Sequence, residues 1–200
     1  MDKSPKSSVL ALVKQAGMLR PRDLDPYGIP REYLSRLRNR GMLRQVGRGL
    51  YTLPDAEWTA HHSLAEACKR VPQGVICLLS ALQFHELTTQ LPFQVWMAIP
   101  NKARKPKVDG LQVRFARFSG PAFDEGIEAH TIEHIQVRIY NPAKTVADCF
   151  KYRNKIGLDV AIEALRDCIR ERKATMDDLW HFAQVCRMTN VMRPYMEAIV

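Results

Sequence analysis

The sequence predicts an α+β protein with two domains, at residues 1–55 and 57–200. Positive charge is concentrated in the first domain, which has 11 basic and 5 acidic side chains, against 19 and 16 in the rest of the chain. Pro54 begins a short polar segment, after which the spacing of apolar residues changes to that of helices. The 46% hydrophobic content of the 200 residues indicates a folded chain with a sizeable core.

Three helices are expected in the first domain. Apolar residues at helical spacing predict a first helix, with Ser7 or Ser8 as its cap and Gly17 as its end. Residues 19–24 form a second, shorter helical stretch, which ends at a turn-forming cluster of Asp, Pro and Gly. The third helix is expected over residues 30–40, because proline is common at the first helical position and a glycine follows position 40.

A β-hairpin with a basic tip follows these helices. Residues 43–46 and 50–53 have the pattern of two short strands, and Gly47, Arg48 and Gly49 form the turn between them. Three helices followed by such a hairpin predict a winged helix-turn-helix. In that module the last helix enters the major groove of DNA, and an arginine at the hairpin tip contacts phosphate or the minor groove.

The residue types on the third helix favour DNA as the partner of this domain. Leu34 and Leu37 are expected to face the core, so the opposite arc carries arginine, serine and asparagine. Residues 31–48 contain six arginines and one acidic residue, Glu32. The alternative is a protein-interaction module whose basic helix is only solvated. The candidate DNA-binding residues are Arg31, Ser35, Arg36, Arg38, Asn39, Arg40, Arg44 and Arg48.

The second domain is expected to be a small mixed sheet packed with helices. Helices are predicted over residues 63–70, 75–87, 142–150, 160–169 and 175–188, and strands over residues 95–99, 113–118 and 135–140. The segment at residues 101–107 is rich in lysine and arginine. Such a segment is usually a solvated connection, and the alternative is a contact with nucleic acid or with an acidic partner.

Three stretches of the chain resemble one family, the antitoxin component of the AbiE abortive-infection systems of bacteria. They are GRGLYTLP at residues 47–54, LLSALQFHELT at residues 78–88 and YNPAKTVADCFKYRNKIGLDVAIEAL at residues 140–165. The last stretch is the most specific, since it matches in residue type and spacing over 26 positions. Glu86 and His134 depart from the family, which is expected to have glycine at both positions.

This resemblance implies a type IV toxin-antitoxin system. The protein would neutralise a nucleotidyltransferase-like toxin of the AbiEii type, without a stable complex being required, and repress its own operon through duplex operator DNA with inverted repeats. An antitoxin must meet either an acidic toxin surface or the nucleic-acid target of the toxin. The candidate antitoxin-surface residues are therefore Lys102, Arg104, Lys105, Lys151, Arg153 and Lys155.

Two other functions stay open on the sequence. One is a stand-alone winged-helix repressor whose second domain senses a ligand or dimerises. The other is a nuclease or metalloenzyme that its winged helix carries to DNA.

No motif predicts a catalytic site, a metal or a cofactor. His130, Glu133 and His134 fit the H-x-x-E-H metal pattern, but that pattern requires a helix, and these residues precede a strand. Glu171 and Lys173 fit the E-x-K of some nucleases at a helix end, without a matched acidic residue on a strand. The five cysteines lack metal-binding spacing and are expected to be reduced core thiols. We therefore expect a cytoplasmic bacterial protein that is not an enzyme and has no membrane span.

Overall fold

The computed structural model describes residues 5–199. Asp2 and Lys3 of the first domain, which contribute to the charge count above, and Val200 lie outside these described residues. The elements of the first domain are α1 (Pro5–Ala16), a 3-10 helix (Pro21–Tyr27), α2 (Glu32–Asn39), β1 (Arg44–Gly47) and β2 (Leu50–Thr52). Those of the second domain are α3 (His62–Arg70), β3 (Val75–Ile76), α4 (Leu78–Phe84), β4 (Val95–Pro100), β5 (Val113–Phe118), α5 (Pro121–Asp124), β6 (Ile127–Ile132), β7 (Ile135–Tyr140), α6 (Pro142–Lys151), α7 (Arg153–Ile156), α8 (Leu158–Arg170), α9 (Met176–Val185) and α10 (Thr189–Ile199).

The first domain has the expected order of three helices and a hairpin around a core of its own. The fully buried side chains of Val13, Leu24 and Leu34 bring the three helices together. The expected serine cap of α1 is wrong, because the helix already includes Pro5. The second helix is a 3-10 helix rather than an α-helix, since a proline at its start and another inside it remove backbone donors.

Leu19 pairs with strand β2 of the hairpin as a third, one-residue strand. The sequence does not predict this pairing. The backbone N–H of Leu19 donates to the Tyr51 carbonyl at 2.9 Å, and the Tyr51 N–H donates back to Leu19 at 2.9 Å. Residues 19–20 are therefore extended, where a helix is expected, and the 3-10 helix begins only at Pro21. This pairing attaches the hairpin to the helices and completes the winged-helix arrangement.

The second domain is built on a five-stranded mixed sheet of order β5-β4-β3-β7-β6. The β4–β5 and β3–β7 pairs are parallel, whereas β3–β4 and β6–β7 are antiparallel. The predicted helix over residues 75–87 is wrong in its first part, because Val75 and Ile76 form the central strand. The helix starts only at Leu78, which has a φ of 48°. A continuous apolar run is compatible with either a buried strand or a buried helix, so periodicity does not separate them.

Helices cover both faces of this sheet. On one face α4, α6, α8, α9 and α10 enclose the largest apolar cluster, which includes Tyr140, Phe150 and Leu165. On the other face α3 packs against Met97 and Ile139. The expected architecture, a small sheet packed with helices, is confirmed.

The two domains share part of their apolar core. Met18 and Leu50 of the first domain are buried in the same cluster as α3 and its sheet face. Gly47 of β1 lies against α3 so closely that a Cβ atom would be 1.9 Å from Nη2 of Arg70. The first domain has a core of its own, but its hairpin also packs on the second domain.

Polar contacts reinforce this junction. Nη1 of Arg20 donates to the Lys69 carbonyl at 2.6 Å, and Nζ of Lys69 lies 2.9 Å from the Asp23 carboxylate. Burial raises the pKa of Asp23, but its bonds with Arg20 and Lys69 outweigh burial and leave this pKa below its ordinary value. Residues 53–61, by contrast, have no helix or strand, and we call this segment the linker.

Candidate nucleic-acid interface

Helix α2 presents the polar face that the sequence predicts. Leu34 and Leu37 are buried against the domain core, which turns the opposite side of the helix to solvent. Among the candidate residues Arg31, Arg36, Arg38, Asn39, Arg40, Arg44 and Arg48 are exposed, and Ser35 is half-buried. The Ser35 hydroxyl donates to the Glu32 carbonyl at 2.8 Å, so its hydrogen is used within the helix.

Two of the arginines at α2, Arg31 and Arg36, are already paired with carboxylates. Nε of Arg31 donates to Asp25 at 2.8 Å, and this bond lowers the pKa of Asp25 and raises that of Arg31. Nη2 of Arg36 lies 2.8 Å from Glu32, one helical turn earlier. A DNA phosphate that approached either guanidinium would compete with these carboxylates, so their charge is less available than the sequence suggests.

The later part of α2 has positive charge that no carboxylate offsets. Arg38 donates to two neutral oxygens, Oδ1 of Asn39 at 2.9 Å and Oε1 of Gln45 at 2.6 Å. These bonds leave its charge intact and fix the side chain between the helix and the hairpin. Within residues 5–199 the Arg40 side chain has no hydrogen bond or ion pair. Arg38 and Arg40 are therefore the strongest cationic groups of this face.

The hairpin adds two cations beside α2. Arg48 lies at the turn with 85% of its side chain exposed, 3.5 Å from the Asp109 carboxylate of the second domain. The Arg44 guanidinium lies 4.3 Å from the ring centroid of Trp58, in the linker. Such a cation–π contact retains the positive charge while it restricts the side chain. The sequence reasoning missed Trp58, although an aromatic residue in a polar linker is a usable signal.

The linker is itself fixed to the second domain. The Trp58 ring stacks on His62 at 4.1 Å, and Nδ1 of His62 bonds to Glu133 at 2.7 Å. Glu133 also accepts from the Thr59 backbone N–H at 2.8 Å. The hairpin position of Arg44 is thereby coupled, through the linker, to the turn between β6 and β7.

The H-x-x-E-H residues do not share a helix face, as expected. His130 lies on β6 and bonds to Glu128 at 3.0 Å, whereas Glu133 and His134 form the hairpin turn with φ of 51° and 64°. Such left-handed backbone favours glycine, which explains why glycine is expected at position 134 in the resembled family; Glu86 is similar, with φ of 58°. Across residues 5–199, no three His, Cys, Asp or Glu side chains are grouped to hold a metal ion.

The candidate antitoxin-surface residues fall into two groups. Lys102, Arg104 and Lys105 are exposed in the segment after β4, and Lys151 and Lys155 are exposed near the end of α6 and in α7. Arg153 differs, because its guanidinium donates to the Phe150 carbonyl at 2.9 Å. We assign Arg153 a structural contribution at the C-terminus of α6.

The most specific resembled stretch surrounds a buried ion pair that sequence reasoning missed. Nζ of Lys144 lies 2.6 Å from Asp148 one helical turn later, and neither side chain is exposed to solvent. The ammonium also lies 4.1 Å from the Tyr140 ring centroid, and the Cys186 thiol donates to Asp148 at 3.2 Å. Burial raises the pKa of Asp148 against the opposing effect of Lys144. The pair is enclosed in the core, so it organises the second domain.

All five cysteines are free and buried, as expected for reduced core thiols. Burial raises their thiol pKa values, for Cys68 to about 11, which makes them poor nucleophiles at neutral pH. In the part of the chain that the structure describes, no helix is long and apolar enough to cross a membrane.

Comparison with known proteins agrees with this architecture. Residues 7–54 match the family described as AbiEi_4, transcriptional regulator, AbiEi antitoxin. No curated protein matches the chain. The crystal structure of the RV2827C protein from Mycobacterium tuberculosis is similar, with a TM-score of 0.61 and 14% identity over 98% of this chain and 80% of that chain. At that identity the likeness shows the fold alone. The resemblance of residues 78–88 and 140–165 stays a prediction, whereas residues 7–54 match the AbiEi antitoxin family of transcriptional regulators, in agreement with the resemblance found in the sequence.

Proposed function

We propose that this protein binds duplex operator DNA, represses its own operon and serves as the antitoxin of a type IV toxin-antitoxin system in the bacterial cytoplasm. Its toxin would be a nucleotidyltransferase of the AbiEii type. The proposed role involves no catalysis and no cofactor.

The exposed polar face of α2 carries the DNA-binding part of this proposal. Arg38 and Arg40 offer charge that no carboxylate of the described residues 5–199 offsets, and Asn39 between them has an amide that can read a base edge. Arg44 and Arg48 of the hairpin lie to one side, where cations contact phosphates and fix the register of the helix in the groove. Two molecules on one operator would account for inverted repeats.

The antitoxin part of the proposal rests on the family description and on the resemblance of the second domain. Lys151 and Lys155 are the surface cations that we propose for toxin neutralisation, whether on an acidic toxin surface or on its nucleic-acid target. Arg153 is the weaker candidate, since it bonds to the backbone of α6. Lys102, Arg104 and Lys105 lie in the segment that leads to Asp109, which is 3.5 Å from Arg48 of the hairpin.

Two readouts in one strain test this function. The protein is expressed with the adjacent nucleotidyltransferase reading frame, and a reporter driven by the promoter of that operon records repression. The double variant Arg38→Ala/Arg40→Ala should relieve repression while cell survival is retained, because its changes lie on the exposed face of α2. Arg193→Ala, which changes an exposed arginine on α10, is the matched control and should alter neither readout.

The outcomes separate the two halves of the proposal. Repression that survives the double variant would exclude α2 as the DNA-binding element. If the adjacent gene product arrests growth and the full-length protein does not relieve this arrest, the antitoxin role is excluded.

A further inference from the structure

The segment that joins β4 to β5 carries a second concentration of positive charge. We use the name basic loop for residues 101–107, which contain four basic residues and no acidic one. All four side chains are exposed, and within residues 5–199 none has a hydrogen bond or an ion pair. The four basic residues are Lys102, Arg104, Lys105 and Lys107. Their mutual repulsion is therefore uncompensated in the free protein.

The backbone of the basic loop is held in place at its start. Nη1 of Arg117, on β5, donates to the carbonyl oxygens of Asn101 and, at 2.9 Å, of Ala103. The Asn101 N–H donates to the Phe118 carbonyl at 2.7 Å, which continues the β4–β5 pairing into the loop. Because backbone groups make these contacts, the basic side chains are left to face solvent.

The chain that follows the basic loop lies beside the hairpin of the first domain. Asp109 lies 3.5 Å from the Arg48 guanidinium at the hairpin turn, although the two residues are 61 positions apart. Val108 and Leu111 pack against the same apolar cluster as Leu50 of β2. The basic loop therefore leads directly into a segment that is anchored on the hairpin side of the sheet.

We propose that the basic loop is a second DNA-binding element, which contacts phosphates next to the site where the first domain binds. This inference rests on the proposed DNA-binding function. DNA is favoured over an acidic protein because the basic loop leads to Asp109, which lies 3.5 Å from Arg48 at the hairpin turn of the proposed DNA-binding domain. Unpaired flexible lysines suit a repeating phosphate backbone, where binding releases condensed counterions and no fixed side-chain geometry is needed. The second domain would then add affinity without adding sequence specificity.

The test compares two full-length variants with equal charge change. In Lys102→Gln/Lys105→Gln the basic loop loses two charges, and in the control Arg166→Gln/Arg193→Gln the exposed surface of α8 and α10 loses two. Fluorescence anisotropy measures the affinity of each for an operator duplex and for a random duplex of the same length, from about 50 to 300 mM salt. Thermal unfolding of both variants confirms that they are folded like the wild type.

The basic-loop variant should lose affinity for both duplexes by the same factor, about 10- to 30-fold near 150 mM salt, if both phosphate contacts are lost. The slope of log affinity against log salt should become less steep by about 1 to 2, since each contact contributes about 0.9. The control variant should keep the slope of the wild type. A basic-loop variant with an unchanged slope would overturn the inference.

The proposed function fails in a different way. If the basic-loop variant binds DNA like the wild type while Arg38→Ala/Arg40→Ala does not, the inference fails and the DNA-binding function stands. If wild-type protein binds neither duplex, both fail. If the basic-loop variant loses only protection against the toxin, the loop faces the toxin or its target, and the inference is wrong.

Discussion

Replacement of Lys144 by methionine should strongly destabilise the second domain. The substitution keeps most of the apolar stem of the side chain and removes the ammonium that lies 2.6 Å from Asp148. Neither side chain is exposed, so water cannot take the place of the lost partner. The Cys186 thiol would remain as a donor to Asp148, and it is neutral.

The expected loss follows from the ionisation of Asp148. Without Lys144 this carboxyl would be buried uncompensated, and it would take up a proton rather than remain charged. An aspartate whose unfolded pKa is about 3.9 is ionised in the unfolded chain at pH 7, and each pH unit above that pKa makes the protonated form less favourable by about 1.36 kcal/mol. A folded state that keeps this carboxyl protonated at pH 7 is therefore destabilised by about 4 kcal/mol. Removal of one partner of a buried ion pair typically costs about 3 to 5 kcal/mol, which agrees.

The sign of the pH dependence follows from the same argument. A carboxyl whose folded pKa is raised favours folding at low pH, and this contribution is lost as pH rises through that pKa. The destabilisation by Lys144→Met should therefore shrink as pH falls from 7 towards 5, by up to about 1.4 kcal/mol per pH unit.

Urea unfolding of full-length protein at pH 7 and pH 5 measures this effect. Lys151→Met on the same helix is the matched control, and since its side chain is exposed it should change stability by less than about 0.5 kcal/mol. The double variant Lys144→Met/Asp148→Leu should recover most of the stability, because no buried charge is left. A Lys144→Met protein within about 1 kcal/mol of the wild type at pH 7 would refute the reasoning.

Four further outcomes are expected. Affinity for operator DNA should fall with salt at a log-log slope of about −4 to −5, as measured by anisotropy, and a flat response would exclude an electrostatic interface. Asn39→Ala should cost about 1 to 3 kcal/mol on the operator and much less on random DNA, whereas Arg48→Ala should weaken both about equally. An unchanged operator affinity for the first variant would mean that α2 does not read the bases. Asp23→Asn should destabilise the domain junction by about 1 kcal/mol at pH 7 and by less below about pH 4, because a lowered folded pKa stabilises the fold only where the carboxyl is ionised. Equal losses of stability at both pH values, measured by urea unfolding, would contradict this. A fragment of residues 57–200 should still protect cells from the toxin without repressing the promoter. It should unfold at a lower urea concentration than the full chain, because Leu50 no longer covers its apolar cluster. Loss of protection by a folded fragment would mean that neutralisation needs the first domain.

Local patterns determined most of the first domain and many helices of the second. The apolar spacing of α1 and α2 and the glycine-bracketed turn at Arg48 each involve residues within a few positions of one another. Helix starts are local signals too: Asn141 accepts from the Lys144 N–H, and Thr175 accepts from the Asp178 N–H at the start of α9. Such signals are local because a helix or hairpin satisfies its backbone groups within the same segment.

The sequence also indicated the functional face of α2. Contacts in the folded domain decided which arginines of this face keep a positive charge that DNA can meet. Asp25 precedes Arg31 by six positions and pairs with it only because the turn between the 3-10 helix and α2 folds back. Arg36 pairs with Glu32 within α2, which is a local contact at helical spacing, whereas the bond from Arg38 to Gln45 on the hairpin exists only in the folded domain.

Contacts between distant parts of the chain escaped the sequence altogether. Val75 and Ile76 form the central strand because β4 and β7 pair with them on either side, Val75 with Ala98 and Ile76 with Met97 and Ile139. An apolar run does not reveal such pairing. The pairing of Arg48 with Asp109 spans 61 positions, and no periodicity encodes it. Sequence alone therefore determined the elements whose hydrogen bonds are local, while the folded chain decided which exposed charges lie together and which are neutralised, because electrostatic interaction depends on distance in space rather than along the chain.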